Sequence, residues 1–279
     1  MNRLGWFGDQ PLARVVLRGD TWARSLIEAL DVGPAEPIQW MQKQTQVLKA
    51  DKHSVVGLLK LDGTLCHLKA YRPKGLMQGL GFRLGHGRGV TAFDRALALR
   101  AAKLSVPEPR ACVYVKDVMF LLTEGLEAST DLKNLWLQQP GNESLQDLMS
   151  RSGDTLAAWH VAGFSHGDCK WSNFLVAADA LYLVDLESVR PTKAVGGGAT
   201  RDLARFVVNA EDMGLSPAHF TAFMTRYCQE VGLDEDAVIA RILPRVKALR
   251  RRHLQKYGQR GQLLLGEAQA STVPTSSNR

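Results

Sequence analysis

Residues Ser165–Val189 read SHGDCKWSNFLVAADALYLVDLESV, a stretch that holds Asp168, Lys170, Asn173 and Asp185 within a short span. Phe174-Leu175-Val176 and Leu181-Tyr182-Leu183-Val184 are apolar enough for two short strands, and Ala178-Asp179 between them reads as a turn. The four polar residues therefore fall in a loop, at a strand start and at a strand end. Transfer of a phosphoryl group needs these residue types. A carboxylate orients the acceptor hydroxyl, a cation softens charge on the moving group, and two oxygen ligands hold a magnesium ion. Asp168 precedes Asn173 by five residues, the separation between base and metal-binding Asn in protein-kinase-like sites, and Lys170 stands two residues after the base. Asp185, one hairpin later, suits the second metal ligand.

Upstream, Val55–Leu61 and Thr64–Tyr71 alternate as two strands around Asp62-Gly63, a two-residue hairpin signal. A helix over about 91–103 follows and is stopped by Pro107 and Pro109. Val113–Val115 and Val118–Thr123 form another strand pair. Strands, one helix and more strands describe a small antiparallel-sheet lobe. After Gly125 the chain turns helical: Ser144–Ala162, with a break expected near Ser152-Gly153, then Arg201–Met213, Pro217–Glu230 and Ala237–Tyr257. Gly196-Gly197-Gly198 reads as a flexible connection. The expected fold is α+β and two-lobed. Its parts are an irregular extension with one helix (1–44), an N-lobe (45–125), a C-lobe (126–266) and a disordered tail (267–279).

The chain has 279 residues, 45% hydrophobic and 23% charged, which suits a globular protein with a substantial core and excludes collagen, coiled coil and wholesale disorder. No apolar run approaches the ~18–20 residues that cross a bilayer, and Met1–Asp20 carries no secretory pattern. Cys66, Cys112, Cys169 and Cys228 are widely and irregularly spaced, so reduced thiols and a cytoplasmic location are expected. The net charge is +7, while residues 237–266 carry eight Lys or Arg and no acid, so the rest of the chain sums to −1. A basic C-terminal helix face suggests a polyanionic partner, whether nucleic acid, anionic membrane or phosphorylated substrate, or else a solvated surface.

On HGDCKWSN followed by LVDLE, the chain resembles the lipopolysaccharide-core (heptose/Kdo) kinases, bacterial enzymes with a protein-kinase-like fold. Thr200–Arg205, Asn209–Leu215 and the basic stretch Arg250–Gly258 are similar to the heptose kinases in particular. The resemblance runs from about Val47 to Gly258. It implies ATP and Mg2+ as cofactors, Asp168 and Lys170 as catalytic residues, and Asn173 and Asp185 as metal ligands. It makes Lys69 the strand lysine on the α- and β-phosphates, and Thr123–Leu126, with Glu124 and Leu126, the hinge that binds adenine. The implied acceptor is a sugar hydroxyl of the lipopolysaccharide inner core, heptose before Kdo, on lipid A. The enzyme would work at the cytoplasmic face of the inner membrane against an anionic surface, with no nucleic acid and an open oligomeric state. Another small-molecule or protein kinase, or a catalytically silent scaffold at the membrane, are the alternatives.

Two departures from the kinase pattern stand out. Lys49-Ala50-Asp51-Lys52-His53-Ser54 replaces the glycine-rich phosphate loop, and the helix TAFDRALAL has no glutamate to pair with Lys69; Asp94 is the nearest acid. Asp202 reads equally as a helix cap or as a buried residue bonding the catalytic loop. The glycine-rich stretch Gly79–Gly89 reads as a mobile insertion that touches an acidic acceptor. His166 would brace the catalytic loop, and Trp171 would contact a sugar.

Overall fold

The computed structural model describes residues 14–30, 37–139, 144–258 and 261–266; Trp6 and the expected disordered tail 267–279 lie outside them. Along the chain run β1 (Arg14–Arg18), α1 (Asp20–Leu30), α2 (Pro37–Gln44), β2 (Gln46–Ala50), β3 (Ser54–Leu61) and β4 (Thr64–Tyr71). They are followed by α3 (Leu76–Arg83), α4 (Arg88–Ala101), β5 (Pro109–Val115), β6 (Val118–Glu124) and β7 (Thr130–Asp131). The second half holds α5 (Leu132–Gln138), α6 (Ser144–Val161), β8 (Phe164–Ser165), β9 (Phe174–Ala177), β10 (Ala180–Leu183) and β11 (Arg190–Pro191). It ends with α7 (Gly197–Asp212), α8 (Pro217–Val231) and α9 (Glu235–Tyr257).

β1 to β6 form one six-stranded antiparallel sheet in the order β1-β5-β6-β4-β3-β2. The expected hairpin closes at Asp62 and Gly63, with φ of 50° and 76°, the pair of left-handed residues that a two-residue turn requires. One sheet face packs under α1 and α2 through Leu26, Ile27, Trp40 and Met41 against Leu68, Phe120 and Leu122. The opposite face, with Tyr71, Tyr114 and Met119, joins α4 and continues without interruption into the helical half. That shared core fixes the cleft between them.

Within the expected irregular extension, the described residues 14–30 and 37–44 form a strand and two helices. β1 pairs with β5 at the sheet edge, and α2 covers the sheet beside α1. The glycines also correct the reading. α6 runs unbroken through Gly153, where a Cβ would lie 2.4 Å from the Phe223 carbonyl oxygen; the glycine admits α8 rather than ending a helix. Gly197 and Gly198 are the first turn of α7, and a Cβ on Gly198 would meet Ser165 Oγ at 2.6 Å. The stretch Gly79–Gly89 lies in α3, the turn after it and the start of α4, so it is helical and not an irregular loop.

α9 starts at Glu235, capped by the Asp234 carboxylate, which accepts from the Ala237 amide at 3.2 Å. Its basic end is not one free face. Arg250 forms a bidentate ion pair with the buried Glu211 and also donates to the Leu265 carbonyl at 2.6 Å, so it holds the C-terminal segment down. His253 pairs with Asp212 at 2.8 Å. Arg251 and Arg252 remain exposed. All four cysteines are free and buried, and among the described residues no helix is long and apolar enough to cross a membrane.

Candidate active site

α7 is the scaffold of the catalytic loop. Asp202, Arg205 and Asn209 recur at positions i, i+3 and i+7, which puts them on one helix face. Asp202 is 1% exposed and accepts from the amides of His166 at 2.5 Å and Gly167 at 2.9 Å. It lies inside α7, so the helix-cap reading is excluded. Leaving those two amides without a partner would cost about 1–3 kcal/mol each. Asn209 Oδ1 accepts from the Trp171 amide at 3.1 Å, pinning the far side of the same loop. Gly167 turns it at φ 81°, where a Cβ would strike the Ser188 carbonyl oxygen.

His166 braces the loop from within. Its Nε2–H donates to the Val184 carbonyl at 2.8 Å and its Nδ1 accepts from the Asp168 amide at 3.3 Å. That pattern needs the neutral ring, and burial lowers the imidazole pKa to keep it so. Trp171 is 1% exposed and packs edge-on to Trp136, so it is a core anchor for the loop and not a sugar contact. Cys169 is fully buried, which pushes its thiol pKa well up and excludes it as a ready metal ligand.

The predicted residues meet at the mouth of this loop. Asp168 is flanked by Lys170, 3.0 Å from its Oδ2, and by Arg205, in direct contact with its Oδ1. Burial pushes the Asp168 carboxyl pKa up, but the Lys170 hydrogen bond and charge, with Arg205, hold it below the ordinary value. Asn173 Nδ2 donates to the Asp168 carbonyl at 2.8 Å, and Val184 N donates to the Asn173 carbonyl at 3.0 Å. With its amide nitrogen turned to Asp168, the side chain has its oxygen left to act as a ligand. Arg205 is a residue the sequence reading missed; its signal was the three-residue step from Asp202 along α7.

Asp185 sits at the end of β10 and Val184 with φ 68° and ψ 56°, a left-handed conformation that aims its carboxylate across the cleft. There Lys69 Nζ on β4 lies 2.9 Å from Asp185 Oδ1 and 2.5 Å from Glu187 Oε1. Burial alone would raise the Asp185 pKa and lower that of Lys69; their attraction outweighs it in both, so each stays charged. Glu187 also accepts from the Tyr71 hydroxyl at 2.8 Å and faces Arg88 at 3.4 Å. The lysine's partner is therefore this glutamate, in the 3₁₀ turn Leu186–Ser188. Asp94 instead pairs in bidentate fashion with Arg18, at 2.7 and 2.9 Å, on β1.

Glu124 and Leu126 lie where the chain leaves β6 for the helical half. Glu124 exchanges backbone and side-chain hydrogen bonds with Glu108, and the Gly125 amide donates to the Leu65 carbonyl at 3.1 Å. At the tip between β2 and β3, Asp51 Oδ1 accepts from the amides of His53 and Ser54 at 2.7 and 2.8 Å. Those bonds, His53 first, lower the carboxyl pKa to about 2. The amides that a glycine loop would offer to phosphates are thus taken by the chain itself.

For a divalent cation, Asn173 Oδ1 and the Asp185 carboxylate are hard oxygen donors, which suit magnesium. Two protein ligands are few, and among the described residues no group of three or more His, Cys, Asp or Glu could hold a metal unaided. A magnesium ion would fit this pair with water and phosphate oxygens completing its shell.

The model of the "Lipopolysaccharide kinase (Kdo/WaaP) family" matches residues 38–227. No curated protein matches the sequence. Solved structures match in large number, 1747 chains, so the fold is a widely used one. One of them, described as "WaaP in complex with acyl carrier protein", has a TM-score of 0.53 and 20% sequence identity, covering 85% of this chain and 98% of that one.

Proposed function

We propose, for a chain that belongs to the lipopolysaccharide kinase (Kdo/WaaP) family and is thus a phosphotransferase with an alcohol acceptor on a core sugar, that it transfers the γ-phosphoryl of ATP, with Mg2+, to a heptose hydroxyl. The observation that carries this reading is the convergence of Asp168, Lys170, Asn173, Asp185 and Lys69 on one cleft. Asp168, kept ionised by Lys170 and Arg205, orients the sugar hydroxyl and accepts its proton. Lys170 and Arg205 offset the negative charge that spreads over the transferring group. Lys69 holds the α- and β-phosphates, and Glu124 to Leu126 line the adenine position. Asn173 and Asp185 would hold the magnesium ion, which would supply charge neutralisation to the phosphates. The nucleotide lies against the lobe 45–125 and the acceptor against 126–266. Heptose is preferred to Kdo because α7 and Arg250–Gly258 resemble the heptose kinases. A lipid-linked acceptor of this kind is met at the cytoplasmic face of the inner membrane.

The test is transfer from γ-labelled ATP to inner-core acceptors that differ in one sugar. Label is expected on heptose-containing acceptors lacking core phosphate and not on acceptors carrying Kdo alone. Label on the Kdo-only acceptor would reverse the sugar, and label on neither would remove the acceptor class. Glu187→Gln is expected to raise the ATP KM about 10-fold, a typical loss for a hydrogen bond to a charged group. Its kcat should fall less, because Lys69 keeps Asp185. An unchanged KM in steady-state kinetics would show that Asp185 alone positions the lysine.

A further inference from the structure

Between the lysine strand β4 and helix α4 the chain forms the short helix α3. Leu76, Met77, Leu80 and Leu84 fall within an arc of about 100° on a helix that turns about 100° per residue. Phe82 and Gly79 point the other way, into the core. The arc is bare: Leu76 is 94% exposed, Met77 83%, Leu84 65% and Leu80 50%. These are four of the large exposed apolar side chains of the described residues, gathered within nine positions of the chain. Single exposed leucines are ordinary; a contiguous row on a projecting helix is not.

The chain on either side of the arc carries one sign of charge. From Gly63 to Phe93 the sequence contains Lys69, Arg72, Lys74, Arg83 and Arg88 and no acid. Arg72 and Lys74 are exposed just before the helix, and Arg83 borders the arc at its end. An apolar ridge bordered by Arg72, Lys74 and Arg83, on a segment whose own sequence has no acid, suits a helix that lies in the interface of an anionic bilayer. Four side chains that stand out from the surface suit fluid hydrocarbon, which closes around them, better than a rigid protein partner, which needs a matching groove.

We infer that α3 is the membrane-contact element of this enzyme, with Leu76, Met77, Leu80 and Leu84 inserted among acyl chains and Arg72 and Lys74 against anionic headgroups. This rests on, and deepens, the reading of a lipid-linked acceptor. α3 leads straight into α4, whose first residue, Arg88, faces Glu187 at 3.4 Å and stacks on the Tyr71 ring at 5.4 Å. A surface held by α3 is thereby brought to the side of the cleft where Lys69 and Glu187 meet. The basic end of α9, with Arg250 engaged by Glu211, is the poorer candidate.

The experiment is co-sedimentation of the full chain with vesicles of phosphatidylglycerol and phosphatidylethanolamine, compared with phosphatidylcholine alone. The wild type should bind the anionic vesicles and leave the neutral ones. The double variant Leu76→Ser, Met77→Ser should bind them about 10- to 100-fold more weakly, the scale of two lost apolar insertions. Lys74→Glu should lose the preference for anionic lipid. Because these side chains are exposed, the melting temperature should not move, and transfer to a soluble deacylated core oligosaccharide should match the wild type. Vesicle binding by the double variant equal to that of the wild type would overturn the assignment, as would binding of neither vesicle by the wild type. Capture of a soluble acidic protein such as acyl carrier protein through this ridge, with no vesicle binding, would overturn it in favour of a protein partner. Failure to phosphorylate the oligosaccharide would count against the proposed acceptor, while the vesicle arms would still decide the surface.

Discussion

Asp168→Asn lowers kcat by about 10^2- to 10^4-fold, the usual contribution of a positioned general base, and leaves ATP affinity close to that of the wild type. The substitution keeps shape and removes one charge. The loop backbone does not depend on that charge: Asp202 holds the amides of His166 and Gly167, and Asn209 holds that of Trp171. Asn173 donates to the Asp168 carbonyl, which the variant retains. The lost property is the ionised carboxylate between Lys170 and Arg205, so the sugar hydroxyl has no acceptor for its proton. The proposed nucleotide contacts, Lys69 and the β6 exit, are not altered by the substitution. Single-turnover transfer and an independent measurement of ATP affinity check both halves. A rate within twofold of the wild type would place hydroxyl activation on another residue. Low affinity together with a low rate would mean that the loop had collapsed, and a reduced melting temperature would reveal it.

Asp185→Asn is expected to abolish magnesium-dependent turnover, by about 10^3-fold or more, as removal of charge stabilisation from a phosphoryl-transfer centre does. Asparagine is the informative substitute because the position has φ 68°, a left-handed conformation that Asn adopts at little cost and Ala does not. An alanine variant would mix backbone strain with the loss of the ligand. The structure adds a second consequence. Asp185 and Glu187 share Lys69, so in the variant the ammonium swings to Glu187 alone, and the Lys69 pKa moves down with the loss of one carboxylate. Turnover should therefore fail to recover at raised magnesium concentration. Recovery at high magnesium would show that Asp185 only tunes metal affinity, and wild-type turnover at ordinary magnesium would show that the metal site lies elsewhere.

The candidate site was legible in Ser165–Val189 because its residues lie on one loop and the hairpin behind it. Short-range spacing then specifies which residues face one another: Asp168 to Asn173 across a single 3₁₀ turn, and Asp185 at the end of the return strand. The antiparallel sheet was legible for the same reason, since alternation along β3 and β4 and the Asp62-Gly63 turn are local signals. The family follows from those motifs, and the model match over residues 38–227 supports it.

Tertiary structure alone decided which groups meet from distant parts of the chain. Sequence separation hid the pairing of Lys69 with Glu187, the pull of Arg18 on Asp94, and the contact between Arg205 and Asp168. In each, a long cationic side chain and a carboxylate reach one point from different elements, and only the packed backbone fixes who is nearer. Burial had the same character. Trp171 reads as a sugar platform until its neighbours Trp136 and Phe206 are in place around it. Arg250 reads as part of a basic face until Glu211, across from α9, takes its guanidinium. Glycines divided along the same line: Gly63 turns a hairpin by its own φ, a local property, whereas Gly153 makes room for the α8 backbone and Gly198 for the side chains of Ser165 and Thr192. Local conformational preference is written in neighbouring residues; desolvation and long-range charge pairing arise only when the chain has closed on itself.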